Sequence, residues 1–226
     1  MATRTANDAR ATPAPTLNPR RCASVSGIAA AMLFGVGSAL WAPGWPAAGA
    51  PPAEIAHFYR DTSAGIVAGA SLSLLAIAAF ILFAAALRRV LTEAEGDDLL
   101  ATTAFGGALL GGAAGLGAET INMVGALRAH DGQLSHALAQ SLWEIARVLG
   151  STAAGVGMGV FALATAAVAL RTGLVLPRSL ALVTLVVGVL LLTPASYVGE
   201  VTGASLMLIT LIIAVVLLRT PNEHRS

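Results

Sequence analysis

Glu119, Asn122, His136, Gln140, Glu144, Arg147 and Glu200 are the side chains best suited to chemistry, and all fall toward one end of a series of long apolar stretches. Carboxylates, an arginine and amides gathered there would serve as the mouth of a carrier for small molecules or lipids. His57, His130 and His136 share that end with Glu54, Asp61, Glu144 and Glu200. Their spacing matches no metal-ligand motif, so no metal is expected. Asp97 and Asp98 form an adjacent acidic pair. Prenyl-transfer chemistry needs two Asp-rich motifs, so this pair, with Glu93 and Glu95, reads as a solvated acidic loop.

The middles of the apolar stretches hold hydroxyls and no ionisable residue: Ser71, Ser73, Thr102, Thr103, Thr152, Thr165, Thr184 and Thr210. Proton pumps and ion-coupled transporters generally place ionisable or strongly polar groups near the bilayer midplane. Haem held by two histidines within a bundle needs histidines in the spans, and there are none. Intramembrane hydrolases need Glu, His, Asp or an activated Ser in the spans. No enzyme activity and no cofactor are therefore expected.

The elements that carry these residues follow from composition. Of the 226 residues, 56% are hydrophobic and 11% charged, with a mean hydropathy of +0.79. Soluble domains carry about 25% charged residues, so this chain cannot build a water-facing surface. A net charge of +1 offers no field for nucleic acid. One cysteine, Cys22, excludes an intramolecular disulfide. All 13 basic residues are arginine, a usage associated with high-GC bacterial genomes.

Residues 1–21 are polar and read as a disordered tail. Six apolar spans follow, at 25–42, 63–87, 99–121, 148–170, 179–197 and 201–218, and residues 220–226 form a second tail. At about 18 to 25 residues each, they match a hydrocarbon core of about 30 Å. Helix is the expected state, because lipid cannot satisfy exposed backbone groups. The expectation is an all-α, polytopic transmembrane bundle occupying residues 22–219. Arg20-Arg21 ahead of the first span and Ala48-Gly49-Ala50 after it resemble a cleavable secretory signal. The first span exceeds the usual apolar core of about 7–15 residues, so an uncleaved span is preferred.

Arginine counting orients the bundle. Ten arginines (Arg4, Arg10, Arg20, Arg21, Arg88, Arg89, Arg171, Arg178, Arg219 and Arg225) fall on one side, and Arg60, Arg128 and Arg147 on the other. Both termini are expected in the cytoplasm. Glu119 then lies near the outer hydrocarbon boundary, since 20 residues of helix from Leu99 rise about 30 Å. It continues the row Gly107, Gly111, Gly115, the candidate helix-packing face. Gly65 with Gly69, and Gly155 with Gly159, repeat the spacing in spans two and four.

The loop after span three predicts an amphipathic helix that runs into span four. Leu134, Leu138, Leu142, Ile145 and Leu149 form an apolar stripe. Gln133, His136, Gln140, Glu144, Arg147 and Ser151 form a polar one. A bend is expected near Gly150-Ser151. Trp41, Trp45, Phe58, Tyr59, Trp143 and Tyr197 form an outer aromatic belt. Glu119 is the first-choice partner for Arg147, ahead of Glu144 and Glu200.

Three segments carry a resemblance: A-E-I-A-H-F-Y-R-D at 53–61, L-R-R at 87–89 and L-R-T-G-L-V-L-P-R at 170–178. With the order of spans, they resemble six-span integral membrane proteins of high-GC bacteria, a domain family with no assigned activity. The resemblance covers about residues 25–219 and implies no functional residue. The chain is thus expected to be a multi-pass protein of the bacterial cytoplasmic membrane with a structural or interaction role. Its partners would be the lipid bilayer and a second copy or another membrane protein, joined through the glycine faces. The alternative is a small-molecule or lipid carrier working through the outer polar cluster.

Overall fold

The computed structural model describes residues 18–193 and 200–219, with backbone alone for 200–204 and 206. The described chain is helical, with no strand. Its elements are α1 (Pro19–Ala39), α2 (Pro52–Asp61), α3 (Ser63–Glu95), α4 (Leu99–His130), α5 (His136–Val148), α6 (Ala154–Thr172), α7 (Arg178–Leu191) and α8 (Glu200–Arg219). A π-helical turn, Leu149–Ala153, joins α5 to α6 without a break. Among the described residues four helices are long and apolar enough to cross a membrane: α1, α3, α4 and the continuous His136–Thr172. The chain is therefore a membrane-type helical bundle. The 14 residues of α7 span about 21 Å, less than a hydrocarbon core.

Local chemistry sets the helix ends. α1 starts three residues inside the expected tail because Asn18-Pro19 is a strong start signal. Pro19 has no amide to orphan, and Asn18 Oδ1 accepts from the backbone N–H of Arg20 at 3.0 Å. α3 runs two turns past Arg88-Arg89 and stops at Gly96, whose φ of +71° suits glycine. α4 continues beyond Ile121 to His130. α2 is a separate short helix in what was read as a loop; Ile55, Ala56, Phe58 and Tyr59 form its buried face.

Charged side chains fasten one end of the bundle. Asp98 accepts from Arg88 at 2.6 Å and from Thr92 at 3.0 Å, spanning the turn between α3 and α4. The Arg88 hydrogen bond, more than any other contact, holds the Asp98 carboxyl below its usual range. Glu95 accepts from the Ala101 N–H at the start of α4 and lies 3.9 Å from Arg171 at the end of α6. The acidic loop is thus a brace joining three helix ends, not merely solvated charge.

Glycines determine how closely the helices cross. A Cβ on Gly69 of α3 would lie 2.5 Å from Gly37 O of α1, and one on Gly65 2.5 Å from Leu40 O. A Cβ on Gly107 of α4 would meet Phe161 N at 2.6 Å and Gly157 O at 2.7 Å. One on Gly157 of α6 would overlap Gly111 N. These backbones touch, so dispersion contacts are made along the crossing without side chains intervening. Gly159 packs on α7, where Gly188 O lies 3.0 Å from its Cβ position. Gly115 differs from the rest of its row: the nearest atom to its Cβ position, Ile77 Cδ1, is 3.7 Å away, an ordinary contact. The close ladder is Gly107 and Gly111 against Gly157, and it lies within the chain. Ala108, next to Gly107, is fully buried as well.

Candidate functional site: a cavity walled by Glu119

Among the described residues, the outer polar cluster is divided between the bundle interior and the surface of α5. Glu119 and Asn122 are buried on α4, and the side chains of His136 and Glu144 are exposed on α5. Gln140 Nε2 donates to Glu144 Oε1 at 2.9 Å along the helix surface. The Arg147 guanidinium lies over the Trp143 ring, 5.1 Å from its centroid. Ion pairs among the described residues join Arg88 to Asp98 and Arg171 to Glu95. Glu119 and Arg147 therefore do not pair, because Glu119 turns into the bundle while Arg147 stacks on its own helix. The side chain of Glu200, and Tyr197, lie outside the described residues.

Asn122 has a structural task. Tyr59 Oη donates to Asn122 Oδ1 at 3.0 Å in a buried contact. The Tyr59 ring sits against Gly125, where a Cβ would come within 2.7 Å of it. Burial pushes the phenol pKa upward, so the hydroxyl stays a donor. Around it, Trp45 packs on Trp41 (ring centroids 4.7 Å apart), Phe58 (5.5 Å) and Trp143 (6.1 Å). This aromatic cap ties α2, α4 and α5 together.

α5 is rotated from the expected orientation. Ala139, Trp143 and Ala146 are buried, whereas Ile145 is 51% exposed and Leu138 and Leu142 are half-buried. Small side chains allow close helix approach, and a branched apolar chain has no reason to leave a lipid-like surround. Ser151, placed on the polar stripe, is buried and donates to Arg147 O at 2.6 Å. Where a bend is expected, at Gly150-Ser151, the chain forms a π-helical turn inside a helix that continues from His136 to Thr172. Such turns leave backbone groups out of the α ladder and recur at functional sites.

That turn borders a cavity of about 110 Å³ lined by residues of α1, α3, α4, α6 and α8. Its wall is almost wholly apolar: Ala31 and Phe34, Ile77 and Phe80, Gly111, Gly112 and Gly115, Gly150, Met158 and Met207. Among the described residues Glu119 is the one ionisable residue in the wall, and it is 8% exposed. Its position follows from the glycine row: where Gly115 leaves ordinary space, the next turn carries the acid into the gap. Because α4 runs on to His130, Glu119 has 11 residues of helix beyond it, about 16 Å. It is thus deeper in the helix than a span ending at Ile121 implied.

Two hydroxyls, one on α3 and one on α8, are unusual. Ser and Thr in helices commonly donate to the carbonyl one turn back, as Ser71 and Thr184 do at 2.7 and 2.8 Å. Ser73 Oγ and Thr210 Oγ1 are buried and have no partner among the described residues. Thr210 is in the cavity wall. Ser73 is not in that wall: its Oγ lies at the α1–α3 crossing, 3.1 Å from the Cβ position of Gly37. Among the described residues no group of three His, Cys, Asp or Glu could hold a metal. The hydroxyls were visible in the sequence; their lack of partners was not.

The chain matches no protein-family model, no curated protein and no solved structure.

Proposed function

We propose that this is a six-span protein of the bacterial cytoplasmic membrane whose bundle holds a small ligand with a hydrocarbon body in the Glu119 cavity, as a binding protein or carrier. The observation that carries this is a buried carboxyl in the wall of an otherwise apolar cavity. An acid inside a membrane-type bundle is costly, and such residues are functional by default. A purely structural role accounts for it less well. The Gly107 and Gly111 faces are occupied by α6 of the same chain, leaving them unavailable to a second subunit.

The six-span reading rests on charge placement. Between Arg178 and Arg219 the one charged residue is Glu200, midway along an otherwise apolar run. Two arms of about 20 residues suit a transmembrane hairpin. The arginine bias then puts both termini in the cytoplasm. Cys22, partly exposed in α1, reports this. A membrane-impermeant maleimide will label it after permeabilisation and not in intact cells. Labelling of intact cells overturns the orientation.

Ligand binding is tested with n-hexanol on the purified full chain in detergent, read as a shift in melting temperature. Gly115→Leu supplies the control, since its side chain grows into the cavity without meeting backbone. Hexanol will stabilise the wild type and leave Gly115→Leu unmoved, as a ligand specific for the folded cavity requires. Equal shifts in the two proteins, or none in either, overturn the binding role.

A further inference from the structure

We propose that the cavity selects a monocationic ligand: a protonated primary amine on a short hydrocarbon chain, with its ammonium against the Glu119 carboxylate. The proposal rests on the cavity being a ligand site and adds the chemistry of the occupant.

Charge comes first. Glu119 has no arginine or histidine within ion-pair distance among the described residues, and the remaining wall is apolar apart from Thr210. An anion would meet like charge and no donor cation. A cation supplies the counter-charge that a buried carboxylate otherwise lacks. A divalent metal is poorly matched, because such ions take six or more oxygen ligands, or keep several waters, around dedicated carboxylates.

Hydrogen bonding narrows the class. A primary ammonium carries three N–H donors and no acceptor. The wall offers acceptors: the two carboxylate oxygens of Glu119 and the unpartnered hydroxyl of Thr210. Thr210 is 2% exposed, and a buried polar group without a partner costs free energy that a ligand can recover. An amine can donate to both groups. A quaternary ammonium, with no N–H, would leave the Thr210 hydroxyl orphaned.

Size and wall chemistry set the rest of the molecule. An engineered apolar cavity of about 150 Å³ takes benzene, so 110 Å³ accommodates a short alkyl group beside the ammonium. Ala31, Phe34, Ile77 and Met207 provide apolar contact for it. An ethanolamine lipid headgroup is excluded by its phosphate, for which the wall has no cationic donor.

The test uses the full chain in detergent at neutral pH, with n-hexylamine and n-hexanol titrated calorimetrically against the wild type, Glu119→Gln and Thr210→Val. Hexylamine is expected to bind the wild type at least tenfold more tightly than hexanol. Glu119→Gln will abolish that preference and leave hexanol affinity within about twofold. Thr210→Val, which keeps the acid and the side-chain shape, will reduce the preference severalfold, and it carries the test if Glu119→Gln does not fold. Hexanol binding with no preference for hexylamine overturns the amine assignment and leaves the cavity role standing. A preference that persists undiminished in both variants also overturns it, since the ammonium would then be recognised elsewhere. Failure of both probes to bind the wild type overturns the ligand site itself.

Discussion

Gly157→Ala will lower the melting temperature of the detergent-solubilised protein by several degrees, although it adds a single methyl group. The Cβ would overlap Gly111 N and lie 2.7 Å from Gly111 Cα and 2.8 Å from Gly107 O. All three are backbone atoms of α4, so no rotamer change relieves the clash and two helices must separate. Overpacking of this kind costs about 1–3 kcal/mol, and the rigid backbone puts Gly157 at the upper end. In a chain of this size each kcal/mol moves the melting temperature by about 2–4 °C. The matched control is Gly106→Ala on α4, where a Cβ meets nothing within 4 Å. There the change removes only glycine's backbone freedom, and a rise of up to about 1 kcal/mol is expected. If the two substitutions have equal effects, the α4–α6 crossing is looser than its geometry and the ladder is a matter of composition.

Removing the Tyr59 ring will be comparably damaging, at the opposite side of the fold's logic: a large side chain instead of an absent one. Tyr59 is 0% exposed and joins α2 to α4. Truncating a buried aromatic to alanine costs about 3–5 kcal/mol, so Tyr59→Ala is expected to release α2 from the bundle. Tyr59→Phe keeps the packing and leaves Asn122 Oδ1 without its donor, for about 1–3 kcal/mol. Hydrogen exchange over residues 52–61 will separate the cases, rapid in Tyr59→Ala and near wild type in Tyr59→Phe. If both variants lose protection equally, the hydroxyl and not the ring holds α2 in place.

Much of this architecture could be read directly from residue order. The starts of α3 and α4, at Ser63 and Leu99, coincide with those of the expected second and third spans, because charge and glycine bound each apolar run. At Gly150-Ser151 the sequence points to a bend, and the helix instead continues through a π-helical turn; a small, hydroxyl-bearing pair marks the place but not the form of the departure from a regular ladder. α2 was missed, although Ile55, Ala56, Phe58 and Tyr59 recur at helical spacing. Ten residues between two prolines and a polar turn resemble a loop when neighbouring stretches run to 20 or more.

What residue order determined about this protein is its class: helical, membrane-type and charged at the helix ends. Those features follow from one-dimensional facts, since a lipid-like surround demands internally bonded backbone and tolerates charge only at its edges. Which face of each helix turns inward was decided by the tertiary structure alone. In water, hydrophobicity sorts inside from outside. Here Ile145 and Gly157 are both acceptable to an apolar surround, so sorting falls to shape, and backbones approach wherever two glycines meet. That crossing places Glu119 in the wall of a cavity that the unpartnered Thr210 hydroxyl also lines. No spacing rule links residues 119 and 210, because their sharing one cavity depends on how the helices cross.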